Sequence, residues 1–116
     1  MKKILVIDDE ENIRNLYQAE LSDEGYEVIT AEDEDDALEL LKTESPDLIT
    51  LDIKLKKSNG VELLRKIKEI DKKLPVIMCT AYDEYKQDFG VWASDAYVVK
   101  SSDLTELKEV IKEILQ

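Results

Sequence analysis

The chain has 116 residues, 43% of them hydrophobic and 38% charged, which suits one folded domain with a sizeable core. Its 28 acidic and 16 basic residues give a net charge of −12, with no histidine. That balance disfavours direct contact with nucleic acid or an anionic membrane, and it removes the commonest general base and metal ligand.

Met1-Lys2-Lys3 followed by Ile4–Ile7 starts like an export signal, but Asp8, Asp9, Glu10 and Glu11 end the apolar run. A signal core needs roughly 7–15 apolar residues and a membrane span ~20, and no segment reaches either length. Cys79 stands alone, so no disulfide framework is available, and a cytoplasmic location is expected.

Lys3–Ile7 reads as a first strand. Ile13, Leu16, Tyr17 and Leu21 then recur at helical spacing, followed by a second strand at Glu27–Ala31. Asp33 with Asp36 starts a helix through Ala37, Leu38, Leu40 and Leu41. Pro46 is expected to stop it, just before a third strand at Leu48–Leu51. Asn59 with Glu62 opens a helix carrying Leu63, Leu64, Ile67 and Ile70, which Pro75 is expected to terminate ahead of a fourth strand at Val76–Thr80. The segment Asp83–Ala93 contains Gly90 and an irregular apolar pattern (Phe89, Val91, Trp92), so only a short or frayed fourth helix is expected there. Ala96–Val99 is a fifth strand, and Asp103 with Glu106 begins the last helix, striped by Leu104, Leu107, Val110, Ile111, Ile114 and Leu115.

Strands alternating with helices imply an α/β fold: a (βα)5 doubly wound, five-stranded parallel sheet of order 2-1-3-4-5, flavodoxin-like, in a single domain over 1–116. Ligands of such sheets bind beyond the carboxyl ends of the strands. There the first strand delivers Asp8 and Asp9, the third Asp52, the fourth Thr80 and the fifth Lys100. With strands about 4.8 Å apart, the three carboxylates crowd together and repel unless a cation neutralises them. A hard divalent ion with oxygen ligands fits, and Mg²⁺ is favoured because it keeps several waters. A carboxylate, Lys, hydroxyl and Mg²⁺ together are the equipment for phosphoryl transfer onto Asp52. Any one of these residues alone would be an ordinary strand-end residue; their convergence on one edge carries the inference. Cys79, inside an apolar strand, is expected to be a buried hydrophobe, and Tyr97 from position alone is expected to pack against the last helix.

Val6-Ile7-Asp8-Asp9-Glu10, Leu48-Ile49-Thr50-Leu51-Asp52-Ile53, Cys79-Thr80-Ala81 and Tyr97-Val98-Val99-Lys100 resemble, in order and spacing, the signature of response-regulator receiver domains over essentially the whole chain. The resemblance implies that Asp52 accepts a phosphoryl group from a sensor histidine kinase or phosphotransfer protein. It implies Mg²⁺ held by Asp9, Asp52 and the Lys54 backbone carbonyl directly, and by Asp8 through water. It makes Thr80 and Lys100 the ligands of the phosphoryl oxygens and Tyr97 a switch aromatic. The surface of the fourth helix, fifth strand and last helix would be read by a downstream target or output domain, without direct contact to nucleic acid or membrane. The family usually has Pro after that lysine, where this chain has Ser101, so the Lys100–Ser101 peptide is expected to be trans.

Such a switch catalyses only its own phosphorylation and dephosphorylation. A haloacid-dehalogenase-like phosphatase would want a second Asp two residues after the nucleophile, where Lys54 stands. A flavodoxin-like electron carrier would want a phosphate-binding loop where Asp8-Asp9-Glu10-Glu11 stands. A pseudo-receiver that only binds a partner is the third alternative. The chain is expected to be either a stand-alone receiver or one excised from a longer protein.

Overall fold

The computed structural model describes residues 1–53, 55, 59–80, 94–100 and 103–116, with Thr80 described by its backbone alone. The strands are β1 (Lys3–Ile7), β2 (Glu27–Ala31), β3 (Leu48–Asp52), β4 (Val76–Thr80) and β5 (Ala96–Val99). The helices among the described residues are α1 (Glu11–Asp23), α2 (Glu34–Glu44), α3 (Gly60–Ile70) and α4 (Thr105–Leu115). All strand pairs are parallel, in the order β2-β1-β3-β4-β5, as the alternation of elements predicts. The expected helix over Asp83–Ala93 and the Lys100–Ser101 peptide lie outside the described residues.

The pleat sorts the apolar residues onto two faces. Leu5, Ile7, Ile49, Leu51, Val76 and Met78 pack with Ala37 and Leu41 of α2 and with Leu63, Leu64 and Ile67 of α3. Ile4, Val6, Leu48, Ile77, Cys79 and Val98 pack with Tyr17 and Leu21 of α1 and with Leu107 and Ile111 of α4. Tyr97 corrects one expectation. Next to Val98 in the strand, it points the other way and packs on the α2/α3 side, across the sheet from the last helix. Period-two alternation decides this: one residue either side of Tyr97 would have reached α4.

Helix ends follow local chemistry. The Asp33 carboxylate accepts the Asp36 N–H at 2.9 Å and Asn59 Oδ1 accepts the Val61 N–H at 2.8 Å, both as expected of N-caps. Leu104 takes the cap position of α4, while the Asp103 carboxylate one residue earlier accepts the Thr105 N–H at 2.9 Å. Those Thr105 contacts hold the Asp103 carboxyl below its ordinary pKa. α1 ends in a left-handed Gly25 (φ 95°), with Tyr26 N–H bonded to Leu21 O and Gly25 N–H to Ser22 O. α2 ends at left-handed Ser45, just before Pro46, which disfavours the helical conformation for its predecessor. Pro75 does not play that part. α3 stops at Ile70, and its exit is set by Asp71, whose carboxylate accepts the Lys73 N–H at 3.0 Å.

Two aspartates secure the amino edge of the sheet in the same way. Asp47, just before β3, donates its N–H to Lys3 O at 2.7 Å while its carboxylate accepts the Lys3 N–H at 2.7 Å. Asp95, just before β5, donates its N–H to Val76 O and accepts the Val76 N–H, both at 2.8 Å. Asp95 also pairs with Lys68 Nζ at 2.8 Å, and that ammonium reaches Leu74 O at 2.7 Å. Asp95→Ala strands the N–H of fully buried Val76, so a loss of about 2 kcal/mol is expected in urea denaturation. A change near zero would show that another acceptor replaces the carboxylate.

Candidate functional site

Parallel register lines up the carboxyl ends. Ile7 pairs with Leu51, Asp52 with Cys79 and Thr80 with Val99, so Asp8, Asp52, Thr80 and Lys100 follow one another across four strands. β3 runs one residue beyond the expected Leu51, so Asp52 is its last residue. The same alternation that sends Val6 and Val98 to the α1/α4 side directs Asp8, Asp52 and Lys100 there.

Asp8 is 2% exposed and Asp52 6%, yet both are acidic. Burying a carboxylate is unfavourable unless it is paired. Lys100 supplies the pairing: its Nζ lies 2.6 Å from Asp8 Oδ2 and 3.2 Å from Asp52 Oδ2. The two carboxylate oxygens therefore lie no further apart than the sum of those distances. Burial alone would lower the Lys100 pKa, but the hydrogen bond to Asp8 and the attraction of Asp52 and Asp8 outweigh it and leave it raised.

Asp8 is held at further points. Its N–H donates to Ala31 O at 3.1 Å, its Oδ1 accepts the Glu10 N–H at 2.9 Å, and its carbonyl accepts from Arg14 Nη1 at 2.8 Å. Beside it, half-buried Asp9 and exposed Glu10 bring carboxylate oxygens within 4.8 Å of one another and of Asp8. This all-oxygen donor set suits a hard divalent cation and not a soft one. Of the expected metal ligands, Asp9 lies beside Asp8, and Asp52 meets Asp8 through their shared partner Lys100. The Lys54 carbonyl and the Thr80 side chain lie outside the described residues.

Beneath the site, Cys79 is buried as expected; burial pushes its thiol up to about 12, partly offset by Lys100. Tyr17 of α1 faces it, and burial raises that phenol too, with Cys79, Asp8 and Asp52 adding to the shift. Both groups stay protonated and serve as packing. Gly60, the first residue of α3, meets the chain just past β3, donating its N–H to Ile53 O at 2.7 Å.

Sequence reasoning passed over Arg14 and gave Glu10 no role beyond its place in the Asp8-Asp9-Glu10 motif. Arg14 carries a detectable signal, a basic residue one turn into a helix whose start is a run of four acids, Asp8 to Glu11. Glu10 carries none beyond its neighbours.

The sequence matches the family described as response regulator receiver domain over residues 4–112. It is similar to the response regulator protein TrrA of Thermotoga maritima, solved in complex with Mg²⁺-BeF: 45% identity, 98% of this chain and 99% of that chain, TM-score 0.95. The structure of histidine kinase ThkA in complex with TrrA gives 45% identity, full coverage of both chains and a TM-score of 0.93. Among curated proteins, the alkaline phosphatase synthesis transcriptional regulatory protein PhoP of Bacillus subtilis is 41% identical over 117 residues, 99% of this chain. The chain spans about half of that regulator's length, 49%.

Proposed function

Because the chain belongs to the response regulator receiver domain family, we propose that it is a phosphorylation-dependent signalling switch with Asp52 as its phosphoryl acceptor. One observation carries this assignment: two buried carboxylates, Asp8 and Asp52, share the ammonium of Lys100 at the carboxyl edge of the sheet. A lysine placed there can follow charge from a carboxylate to a phosphoryl group attached to it.

An Asp52 oxygen attacks the phosphorus of a phosphohistidine presented by a sensor histidine kinase or phosphotransfer protein. The P–N bond breaks, its electron pair returns to the imidazole, and a solvent proton follows. The product is an aspartyl phosphate; attack by water on its phosphorus releases inorganic phosphate and restores the carboxylate. Asp9, Asp52 and the Lys54 carbonyl would hold Mg²⁺ directly and Asp8 through water; when bound, the cation offsets the charge of the phosphoryl oxygens. Lys100 moves its hydrogen bond from Asp52 to a phosphoryl oxygen, and the Thr80 hydroxyl donates another. Tyr97 is the switch aromatic, coupling the site to the surface of residues 83–93, β5 and α4, which a downstream target or output domain reads. The relative's complexes with Mg²⁺-BeF and with a histidine kinase support both the cation and the donor.

We further propose that residues 1–116 form one receiver domain, that it works in the cytoplasm, and that it turns over no external product. Among the described residues no helix is long and apolar enough to cross a membrane.

Incubated with a small phosphodonor and Mg²⁺, the protein should gain one phosphoryl group by intact mass spectrometry, and Asp52→Asn should gain none. No adduct on the wild type at saturating donor would leave only a pseudo-receiver that binds its partners. An adduct retained by Asp52→Asn would move the acceptor elsewhere.

A further inference from the structure

We propose that Arg14 is a positioning residue for the cation site, acting through the main chain between Asp8 and Asp9. The proposal rests on the phosphoryl-acceptor function above and deepens it.

Half-buried Arg14 lies in the first turn of α1 and donates from Nη1 to the carbonyl of Asp8 at 2.8 Å. That oxygen and the N–H of Asp9 belong to one planar peptide unit, so holding the first fixes the direction in which Asp9 leaves the strand. Asp8 is secured independently, at its N–H by Ala31, at Oδ1 by Glu10 and at Oδ2 by Lys100. Asp9 is not: its carboxylate makes no hydrogen bond or ion pair with any described residue. Its place beside Asp8 and Glu10 is therefore set by the main chain, and Arg14 holds that chain.

Charge and position make opposite demands on Arg14. A guanidinium near three carboxylates repels a divalent cation, so removing the charge alone would tighten binding. Removing a clamp on a ligand's backbone would weaken it. Supporting contacts of this kind typically contribute about 10-fold to metal affinity.

The test is a Mg²⁺ titration followed by melting temperature for the wild type, Arg14→Met and Arg14→Lys. Met keeps the stem and helix propensity without the donors, whereas Lys keeps the charge and a donor. Arg14→Met is expected to need about 10-fold more Mg²⁺ for half of its stabilisation, with little change in the metal-free melt. Arg14→Lys should recover most of that loss, and phosphorylation of Arg14→Met should return to the wild-type rate once Mg²⁺ saturates. Unchanged or tighter Mg²⁺ binding in Arg14→Met, beside a wild type that binds normally, would overturn the positioning role alone. A wild type whose melting temperature ignores Mg²⁺ would overturn this role and the cation site together.

Discussion

Lys100→Met is expected to remove about 3–5 kcal/mol of folding stability from the metal-free protein, because it leaves two buried carboxylates without their shared partner. Asp8 and Asp52 each point an oxygen at the same ammonium, and little water reaches any of the three. The stabilisation also carries a pH signature. The pairing holds the Lys100 pKa above its ordinary 10.5 in the folded protein. A group raised on folding contributes its full stability below the unfolded pKa and loses it as pH rises through the folded one. The wild type should therefore lose this contribution as pH climbs past 10.5, and Lys100→Met should lack that part of the decline. Mg²⁺ should stabilise the variant more than the wild type, since no ammonium then competes for the carboxylates. Urea denaturation at neutral and strongly alkaline pH, with and without Mg²⁺, reads all three effects. A metal-free Lys100→Met as stable as the wild type would show that the carboxylates do not depend on Lys100.

Gly60→Ala is the second large effect expected, about 3 kcal/mol or more. A Cβ at this position would meet the Asp52 carbonyl oxygen head-on and lie 2.7 Å from Ile53 Cα and 2.8 Å from Ile53 O. All three are backbone atoms, so no side-chain rotation relieves the clash. Gly60 and Ile53 would have to separate, breaking the 2.7 Å bond from Gly60 N–H to Ile53 O and displacing the end of β3 that carries Asp52. Slower phosphorylation should accompany the lower melting temperature. Gly25 makes the control: open space surrounds it, but its φ of 95° disfavours any side chain, so Gly25→Ala should cost only about 1–2 kcal/mol. Equal losses at the two glycines would mean that Gly60 and the end of β3 adjust to each other more freely than their contacts imply.

The strands are legible in the sequence because short runs such as Ile4–Ile7 and Val76–Cys79 are apolar on both faces, as strands buried on both sides tend to be. Their topology follows from connection rules, and with it the edge where Asp8, Asp52 and Lys100 meet. What sequence misses is direction within an element. Tyr97 and Val98 are adjacent and both apolar in character, yet face opposite layers, and only register shows which of them meets α4. Side-chain reach is equally hidden. Nothing in the spacing of Asp8 and Arg14 says that the guanidinium turns back to a backbone oxygen and not outward to solvent. Pro75 misleads for the opposite reason, since a residue that can end a helix does so only where the helix still runs.

The two aspartates at the amino edge bear on how the sheet can move. Asp47 ties the entrance of β3 to β1, and Asp95 ties the entrance of β5 to β4, each through bonds from both its amide and its carboxylate. Mechanically the sheet resembles a plate clamped along one side. A change of charge at the opposite side, where Lys100 is shared between two carboxylates, is therefore expected to leave the amino edge in register. Movement on loading the site is expected at Lys100 and its neighbours, with Asp47 and Asp95 as the fulcrum.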